Sequence, residues 1–439
     1  MKKTTLFNAF GILLLALLCA LHPVQAQTKQ SKLKEFMALR FGMFVHWGPV
    51  SLRGTEIGWS RDREVSKADY DSLYKEFNPV LFDADAWVKT AKDAGMKYLV
   101  ITARHHDGFC LWPTKFTDYN ISNTPFKKDV VGALMQACKK QGIKFCIYYT
   151  ILDWRHPNYP LHSAHHNPKP DPNSNMAAYI TYMKNQLKEL IQNYDPYLIW
   201  FDGGWEAPWT DEMGKDLYNY LMKLKPDLIV NNRLGKEIAA VENKKIDASK
   251  MVGDYDTPEQ TVGRINMVTP WESCFTICNQ WSWKPNDSLK SLKECLRILS
   301  QTTGGNGNLL LNVGPMPDGR IEKRQIARLD QIGNWLKMNG EAVYNTLGGP
   351  YNPNENYTAT RKGKKIFITI LQTNTEALSL TRLPSLSITK AYVLGGNAIS
   401  FANKDNHYEL KWPASDTGAN QFVLVLEMDG NTENAILTE

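Results

Sequence analysis

The residues of this sequence that could do chemistry stand at the ends of four short apolar runs. The first run ends at His46, and the second is followed closely by the pair His105 and His106. The third carries Tyr148 near its end, and the fourth is followed directly by Asp202. The carboxyl ends of neighbouring parallel strands meet at one edge of a sheet. If these runs are such strands, imidazole rings, aromatic rings and a carboxylate converge around one mouth.

Asp202 is the carboxylate in the strongest position for catalysis. It follows the apolar run Leu198–Phe201 and precedes two glycines, where a buried strand opens into a tight turn. With a second carboxyl group roughly 5–5.5 Å away, it would form the pair that a retaining glycosidase needs. Glu259 and Glu272, on later loops, are both candidates for the second group. Their spacing in the sequence does not choose between them.

The histidines indicate substrate contacts rather than a metal site. Adjacent side chains of an extended chain point to opposite sides, so one of His105 and His106 can face substrate while the other braces the loop. The two rings cannot readily share one ion, and no familiar spacing of metal ligands accompanies them. No Cys-x-x-Cys pair occurs either. We therefore expect neither a metal ion nor another cofactor.

Strand and helix patterns alternate between about residues 36 and 340 and would position these side chains. Short runs that are apolar at nearly every position favour a parallel sheet buried on both faces. Their alternation with amphipathic helices predicts an α/β fold, a (β/α)8-type TIM barrel. Two of the eight strands are not obvious, so an irregular barrel is expected. The predicted strands are Phe41–His46, Tyr98–Ala103, Phe145–Tyr149, Tyr197–Asp202, Leu228–Asn231 and Leu309–Val313. The predicted helices are Asp85–Ala94, Val130–Lys140, Met176–Gln192, Asp211–Leu224, Ser288–Ser300 and Glu322–Met338.

The pattern changes after Asn345. Alternating or β-branched runs follow, with Gly, Asn and Asp between them, and this pattern predicts a C-terminal antiparallel β-sandwich. The predicted strands there are Lys365–Leu371, Lys390–Leu394, Tyr408–Trp412 and Phe422–Glu427. The predicted organisation is a signal peptide at 1–26, a catalytic (β/α)8-like barrel at 27–345 and a β-sandwich at 346–439.

Composition and charge narrow the range of partners. The 439 residues include 51 basic and 45 acidic ones, and the net charge of +6 is spread without strong basic clusters. Nucleic-acid binding therefore gets no support. The 13 Trp and 19 Tyr supply flat rings with a polar edge, which suit the faces of sugars. The sequence leaves the oligomeric state open.

The first 26 residues are typical of a secretory signal. Lys2 and Lys3 precede the apolar run Ile12–Leu18, and Val24–Ala26 offers a small-residue cleavage site. The run is too short to span a bilayer, and we expect cleavage after Ala26 and export to the periplasm or the medium. Six cysteines remain after that cleavage. A chain this large can fold on its core alone, so we expect free, buried thiols.

Nine short motifs follow one another along nearly the whole mature chain. They are Arg40–Gly48, His105–Phe109, Tyr148–Tyr149, Asp153–Trp154, Trp200–Gly203, Asn232–Arg233, Thr257–Glu259, Gly304–Pro315 and Gly340–Tyr344. One of them could arise by chance, but the ordered series could not. In this series the chain resembles the α-L-fucosidases of glycoside hydrolase family 29.

The resemblance implies a retaining, exo-acting hydrolase that removes terminal α-L-fucose from a fucosylated oligosaccharide or glycoconjugate, without a cofactor. By that similarity Asp202 is the nucleophile. The Thr-x-Glu motif makes Glu259 the acid/base and leaves Glu272 as supporting structure. Trp283 takes the place of an aromatic residue that faces the methyl group of the sugar. The other residues that the resemblance assigns to the sugar pocket are His46, His105, His106, Tyr148, Trp200 and Arg233.

The resemblance also carries an electrostatic expectation. Arg233 would hold Asp202 ionised, whereas the acid/base would sit in a less charge-compensated place and stay protonated. Because fucose is a 6-deoxy sugar, histidines and Arg233 would serve its hydroxyls while Trp283 provides an apolar wall for its methyl group.

One loop departs from the family pattern. Many relatives carry a Glu-Trp pair after the first strand, and here the stretch reads Glu56-Ile-Gly-Trp59. Trp59 matches, and Glu56 is the carboxylate available as a substitute. An α-L-galactosidase stays open as an alternative, because an apolar wall rejects an added hydroxyl only modestly. An inactive carbohydrate-binding protein is the other alternative, and the intact pair of Asp202 and Glu259 argues against it.

Overall fold

Seven parallel strands form the central sheet of the computed structural model, which describes residues 29–163, 169–236, 247–262, 265–372, 374–413 and 421–435. The expected signal sequence at 1–26 lies outside the described residues. The sheet order is β5-β4-β3-β2-β1-β7-β6. The strands are β1 (Phe41–Val45), β2 (Tyr98–Arg104), β3 (Lys144–Thr150), β4 (Leu198–Asp202), β5 (Ile229–Val230), β6 (Glu272–Thr276) and β7 (Asn308–Val313).

An irregular extended segment, residues 252–259, lies between the two edge strands β5 and β6. It pairs with the chain after β5 through the Asn231–Tyr255 bridge and with β6 through the Glu259–Cys274 bridge. The ring of strands therefore closes, as a (β/α)8-type barrel requires. This segment and β6 are the two strands that the sequence pattern does not reveal. The segment contains Pro258, which has no backbone N–H to donate to a neighbouring strand, and β6 begins with the polar Glu272. Neither stretch is therefore a continuous apolar run.

Helices connect most of the strands and begin at polar capping residues. Asp129 accepts a hydrogen bond from the backbone N–H of Gly132, and the same helix ends at Gly142, with φ of +75°. Ser291 caps its helix in the same way, so that helix starts later than predicted. Residues 29–39 are also helical. The other helices are Lys67–Ser72, Ala84–Asp93, Val130–Gln141, Met176–Tyr194, Asp211–Leu224, Leu292–Gly304 and Lys323–Asn339, with short 3-10 turns at Pro49–Leu52, Leu73–Lys75, Ile121–Asn123 and Gly340–Ala342.

The barrel strands bury both of their faces, as the uninterrupted apolar runs predict. Alternate residues such as Met43 and Leu99 pack outward into the large core shared with the helices. The residues between them, including Phe44, Tyr148 and Trp200, form a second cluster inside the barrel. The inner cluster supplies a rigid aromatic floor beneath the carboxyl ends of the strands. All six cysteines among the described residues are free and buried, which confirms the prediction.

A β-sandwich follows the barrel, as predicted. Its five-stranded sheet has the order β12-β15-β10-β9-β8, and its three-stranded sheet has the order β11-β14-β13. Phe367 and Val423 pack one face of the larger sheet into the core of the barrel helices, while Trp412 is buried between the two sheets. Four of these strands were not predicted, because they are very short or carry many polar and exposed residues. The strands are β8 (Leu347–Gly348), β9 (Tyr357–Lys362), β10 (Lys365–Ile370), β11 (Ala377–Thr381), β12 (Ile388–Val393), β13 (Ser400–Lys404), β14 (His407–Lys411) and β15 (Phe422–Met428).

Among the described residues, none of the helices combines the length and the apolar character that crossing a bilayer requires.

Candidate active site

A cavity of about 220 Å³ opens at the carboxyl ends of the barrel strands. It is smaller than the roughly 300–1,000 Å³ usual for pockets that bury drug-sized ligands, so it suits a single small ring. Imidazole, indole and phenol rings make up most of its wall. The lining residues are Phe44, His46, Trp59, His105, His106, Tyr148, Trp200, Asp202, Trp205, Arg233, Glu259, Cys274 and Trp281.

Arg233 joins the two candidate catalytic carboxylates. Its Nη1 lies 2.9 Å from Asp202 Oδ1, and its Nη2 lies 3.0 Å from Glu259 Oε2. One planar guanidinium therefore holds both acids on the same wall of the cavity. Glu259, expected in a less charge-compensated place than Asp202, shares the same arginine with it.

The arginine itself is fixed by its neighbours. Its Nε donates to Thr257 Oγ1 at 3.0 Å, and Nη2 also donates to the Thr257 carbonyl at 3.1 Å. The guanidinium carbon lies 4.6 Å from the centre of the Trp200 ring, a cation–π contact. Thr257 belongs to the irregular segment that closes the barrel. This segment therefore holds Arg233 beside the two carboxylates.

Asp202 receives further contacts from the strands beside it. Tyr148 on β3 donates its hydroxyl to Asp202 Oδ2 at 3.0 Å, and His106 Nε2 lies 3.6 Å from the same oxygen. The side chain of Asn231 exchanges two hydrogen bonds with the backbone of Phe201, which fixes the end of β4. Asp202 is thus held in one position by three neighbouring elements.

The three histidines of the site are buried and uncharged near neutral pH. Burial lowers the pKa of His46 and that of His106 to about 3, and Arg233 and Arg104 add to the effect at His106. Burial also lowers the pKa of His105 well below its usual value. His46 Nδ1 pairs with Asn312 Oδ1 at 2.6 Å, and His106 Nδ1 pairs with Thr150 Oγ1 at 2.8 Å. Both rings line the cavity as neutral polar groups, and His106 turns its Nε2 toward Asp202.

The sequence model of the α-L-fucosidase family matches residues 20–341 of this chain. The chain belongs to the α-L-fucosidase family. It is therefore a glycoside hydrolase, and its reaction is the hydrolysis of α-L-fucosides.

Individual relatives agree with this membership over most of their length. Bovine (Bos taurus) tissue alpha-L-fucosidase is 28% identical over 421 residues, which cover 90% of this chain and 84% of the relative. The solved structure of alpha-L-fucosidase isoenzyme 1 from Paenibacillus thiaminolyticus superposes with a TM-score of 0.82 at 30% identity, covering 92% of this chain and 100% of that one. A trapped covalent intermediate of a family 29 fucosidase from Bacteroides thetaiotaomicron, in complex with 2-fluoro-fucosyl fluoride, gives a TM-score of 0.80 at 27% identity, covering 90% and 96% of the two chains.

Glu272 lies beneath the cavity of this fucosidase and outside its lining. Its Oε1 accepts a hydrogen bond from Trp200 Nε1 at 3.0 Å, and its Oε2 accepts one from the Tyr98 hydroxyl. The carboxyl group is fully buried, and burial raises its pKa from the usual 4.5 to about 7. Glu272 binds the indole of Trp200, which in turn stacks on Arg233, so Glu272 supports the floor of the cavity.

Replacing Glu272 by glutamine is expected to change the pH dependence of stability. In the folded protein the carboxyl keeps its proton up to about pH 7, while the unfolded chain releases it near pH 4.5. The group therefore stabilises the fold fully below about pH 4.5 and loses this contribution by about pH 7, a change of roughly 3 kcal/mol. Glu272→Gln lacks this dependence. Urea unfolding of both proteins at pH 5 and pH 8 would measure it, with Glu376→Gln, an exposed glutamate, as the control. The prediction would be contradicted if the variant and the wild type differed in free energy of unfolding by the same amount at pH 5 and at pH 8.

The apolar wall assigned to Trp283 is formed by Trp281. Trp281 lines the cavity, with its ring 4.8 Å from that of His46, and its carbonyl accepts from Asn312 Nδ2 at 2.6 Å. Trp283 instead approaches Glu322 with its indole N–H, at 3.3 Å. The two tryptophans are separated by one residue, and only the hydrogen bonds of Asn312 and the surrounding loop decide which of them faces inward. The sequence-based assignment of Trp283 is corrected accordingly.

Glu56 also has a different place from the one expected. Its carboxylate accepts from the backbone N–H of Trp281 at 2.9 Å and from that of Ser282 at 3.0 Å. The Ser282 hydroxyl and the Ile57 N–H also donate to Glu56 Oε1, each at 3.1 Å. The carboxylate is thus occupied in holding the Trp281 loop and does not line the cavity. Trp59 does line it, as the resemblance implies.

Replacing Glu56 by alanine is expected to raise KM for an aryl α-L-fucoside about tenfold while changing kcat less than about threefold. Loss of the carboxylate frees the backbone N–H groups of Trp281 and Ser282 and loosens the Trp281 wall of the cavity, which lies away from the two carboxylates. Steady-state kinetics would measure both constants. Glu64→Ala, at an exposed glutamate of the same loop, is the control. An unchanged KM would show that the loop holds Trp281 without Glu56.

Three further lining residues were not found from the sequence. Phe44 and Cys274 read as ordinary strand positions, and they reach the cavity because their strands point these side chains inward. Trp205 follows Asp202 by three residues, and this short separation is the sequence feature that indicates its place in the cavity. Among the described residues, the structure finds no group of histidines, cysteines and carboxylates arranged to hold a metal ion.

Proposed function

We propose that this fucosidase releases terminal α-L-fucose from glycans in two steps, with Asp202 as the nucleophile and Glu259 as the acid/base. The observation that carries the assignment is the shared guanidinium of Arg233, which holds both carboxylates at one wall of a small, closed-bottomed cavity. The covalent intermediate trapped in the Bacteroides fucosidase supports a nucleophilic carboxylate in this chain as well. Glu272, buried under the floor, has no access to substrate.

In the first step a carboxylate oxygen of Asp202 bonds to the anomeric carbon as the glycosidic C–O bond breaks. Glu259 gives its proton to the departing oxygen, so that the rest of the glycan leaves as an alcohol. In the second step Glu259 takes a proton from water, whose oxygen attacks the anomeric carbon and releases Asp202. Two inversions at one carbon restore the α configuration.

The unequal exposure of the two carboxylates supports their different roles. The side chain of Asp202 is 12% exposed, whereas that of Glu259 is 29% exposed. Solvent screens the attraction between Glu259 and Arg233 more than that between Asp202 and Arg233. The attraction between Asp202 and Arg233 is therefore the stronger of the two, and Glu259 is the carboxyl group more accessible to the leaving group and to water at the mouth.

The remaining wall fits a 6-deoxy sugar. The neutral rings of His46, His105 and His106 present nitrogen atoms to sugar hydroxyls without adding net charge. Trp281 offers an apolar face for the methyl group at carbon 6, the role that sequence reasoning gave to Trp283. The preference for fucose over α-L-galactose then depends on that wall.

The export signal and the division of the chain also belong to this proposal. Charge and apolar length at the N-terminus support removal of residues 1–26 and export, and the change of pattern after Asn345 supports separate barrel and sandwich domains. N-terminal sequencing of the protein recovered from the periplasm or medium would test the cleavage. A mature chain that begins elsewhere than Gln27 would contradict it.

The function is tested by release of nitrophenol from an aryl α-L-fucoside and from the matching α-L-galactoside, with Asp202→Ala as the blank. Fast release from the fucoside alone is the expected result. Equal rates on the two substrates would show that the Trp281 wall does not discriminate. Release that persists in the Asp202→Ala variant would overturn the assignment of the nucleophile.

A further inference from the structure

We propose that Trp205 forms a binding surface for the sugar ring to which the fucose is attached. This inference rests on the proposed function and extends it to the second ring of the substrate. The floor of the cavity is deeply buried, with Tyr148 and Trp200 at 1% and 2% exposure, whereas Trp205 is 39% exposed. The gradient from buried floor to exposed tryptophan places Trp205 at the mouth.

The loop that carries Trp205 is anchored rather than free. Gly203 has φ of +89°, and a Cβ at Gly204 would lie 2.4 Å from the carbonyl oxygen of Arg233, so both glycines are needed for the tight path after Asp202. On the other side, Glu206 accepts hydrogen bonds from Trp154 Nε1, at 2.9 Å, and from the Tyr159 hydroxyl. The exposed indole is therefore held between two fixed points.

The ring of Trp205 is oriented by aromatic neighbours of the cavity. It lies nearly parallel to Trp59, with 6.3 Å between ring centroids and 12° between planes. It also meets His106 edge to face, at 5.5 Å. These contacts fix the plane of an indole that remains more than one-third open to solvent. A large exposed apolar surface that is held rigidly next to a catalytic cavity is typical of a ligand contact.

The chemistry of the reaction specifies what this surface receives. Once the fucose ring occupies the cavity, the rest of the glycan must leave through the mouth, past the partly exposed Glu259 that protonates it. The first ring of that remainder is a pyranose, whose C–H bonds give it an apolar face. A flat indole binds such a face by dispersion and burial of apolar area. The occupant of the Trp205 surface is therefore a neutral pyranose ring of the leaving group.

The test compares substrates with and without a sugar as the leaving group. α-L-Fucosyl fluoride loses a single atom and cannot contact the mouth, whereas a fucosyl disaccharide carries the ring in question. From a panel of fucosyl disaccharides that differ in linkage, the one that the wild-type enzyme cleaves fastest is used. Trp205→Ala is expected to lower kcat/KM about ten- to a hundredfold for that disaccharide and less than about fivefold for the fluoride, which loses only the indirect support of Trp205 for His106.

Two further variants make the comparison specific. Trp205→Phe keeps a flat ring and is expected to retain much of the lost activity on the disaccharide. Phe116→Ala removes another exposed aromatic residue, which is 42% exposed and lies outside this cavity. It is expected to leave kcat/KM unchanged for both substrates.

Four outcomes would overturn the inference. An equal loss on both substrates would show that Trp205 supports the fucose site through His106, and an unchanged disaccharide rate would show no contact at all. Wild-type enzyme that cleaves the fluoride but no disaccharide would show that the mouth does not accept a sugar ring. Wild-type enzyme that cleaves neither would overturn the proposed function, and the inference with it.

Discussion

Replacing Asp202 by alanine is expected to lower kcat for an aryl α-L-fucoside at least about a thousandfold. The variant lacks the oxygen that bonds to the anomeric carbon, and no other carboxylate of the cavity is held at the end of β4 by Tyr148 and Arg233. Steady-state release of nitrophenol measures the loss. Asp85→Ala, at an exposed aspartate on a barrel helix, is the matched control and should retain full activity.

Added azide distinguishes a lost nucleophile from a damaged fold. The small anion can enter the space left by the carboxylate, bond to the anomeric carbon and displace the nitrophenolate, which inverts the configuration once. The expected product is the β-fucosyl azide, formed at a rate that rises with azide concentration. Melting temperature would report whether the variant folds. A folded variant that azide does not reactivate, or one that yields the α-azide, would remove Asp202 from the role of nucleophile.

Replacing Glu259 by alanine is expected to produce a loss that depends on the leaving group. A nitrophenolate departs without a proton, so kcat/KM for the aryl fucoside should fall less than about tenfold. A sugar alcohol needs the proton, so kcat/KM for a fucosyl disaccharide should fall about 10²- to 10⁴-fold. The ratio of the two losses is the measurement, because a general disturbance of the site would reduce both rates equally.

Glu272→Gln supplies the comparison for that experiment. Glu272 is buried beneath Trp200 and reaches no substrate, so its variant should lower both rates by the same modest factor. Azide adds a second readout, since in Glu259→Ala it attacks the fucosyl-enzyme from the water side and gives the α-fucosyl azide. A leaving-group dependence in Glu272→Gln, together with equal losses in Glu259→Ala, would exchange the roles of the two glutamates.

A continuous set of contacts connects the floor of the barrel to the catalytic pair. Glu272 accepts from the indole of Trp200, Trp200 stacks on the guanidinium of Arg233, and Arg233 binds Asp202 and Glu259. Each group fixes the orientation of the next, so the carboxylates are pre-organised before substrate arrives. This arrangement explains why a buried acid well below the cavity is part of the site without touching the sugar.

Much of the barrel and the place of Asp202 in it could be predicted from the amino-acid sequence. Buried parallel strands such as Tyr98–Arg104 are continuous apolar runs, and their carboxyl ends necessarily share one edge, so the approach of His46, His105 and Asp202 follows from local patterns. Local patterns do not distinguish Glu259 from Glu272; resemblance to a family favours Glu259 as the acid/base, and the complete burial of Glu272 supports the same assignment.

The details that govern specificity depend on contacts between distant parts of the chain. Glu56 binds the backbone of Trp281 across 225 residues, and no local pattern shows that this carboxylate holds a loop instead of a sugar. The same contacts turn Trp281 inward and leave Trp283 outside. Arg233 likewise reaches both carboxylates only because an irregular segment closes the barrel beside it. Periodicity reports which residues are buried, whereas hydrogen-bond partners are set by how the elements pack, and the tertiary structure alone supplies them.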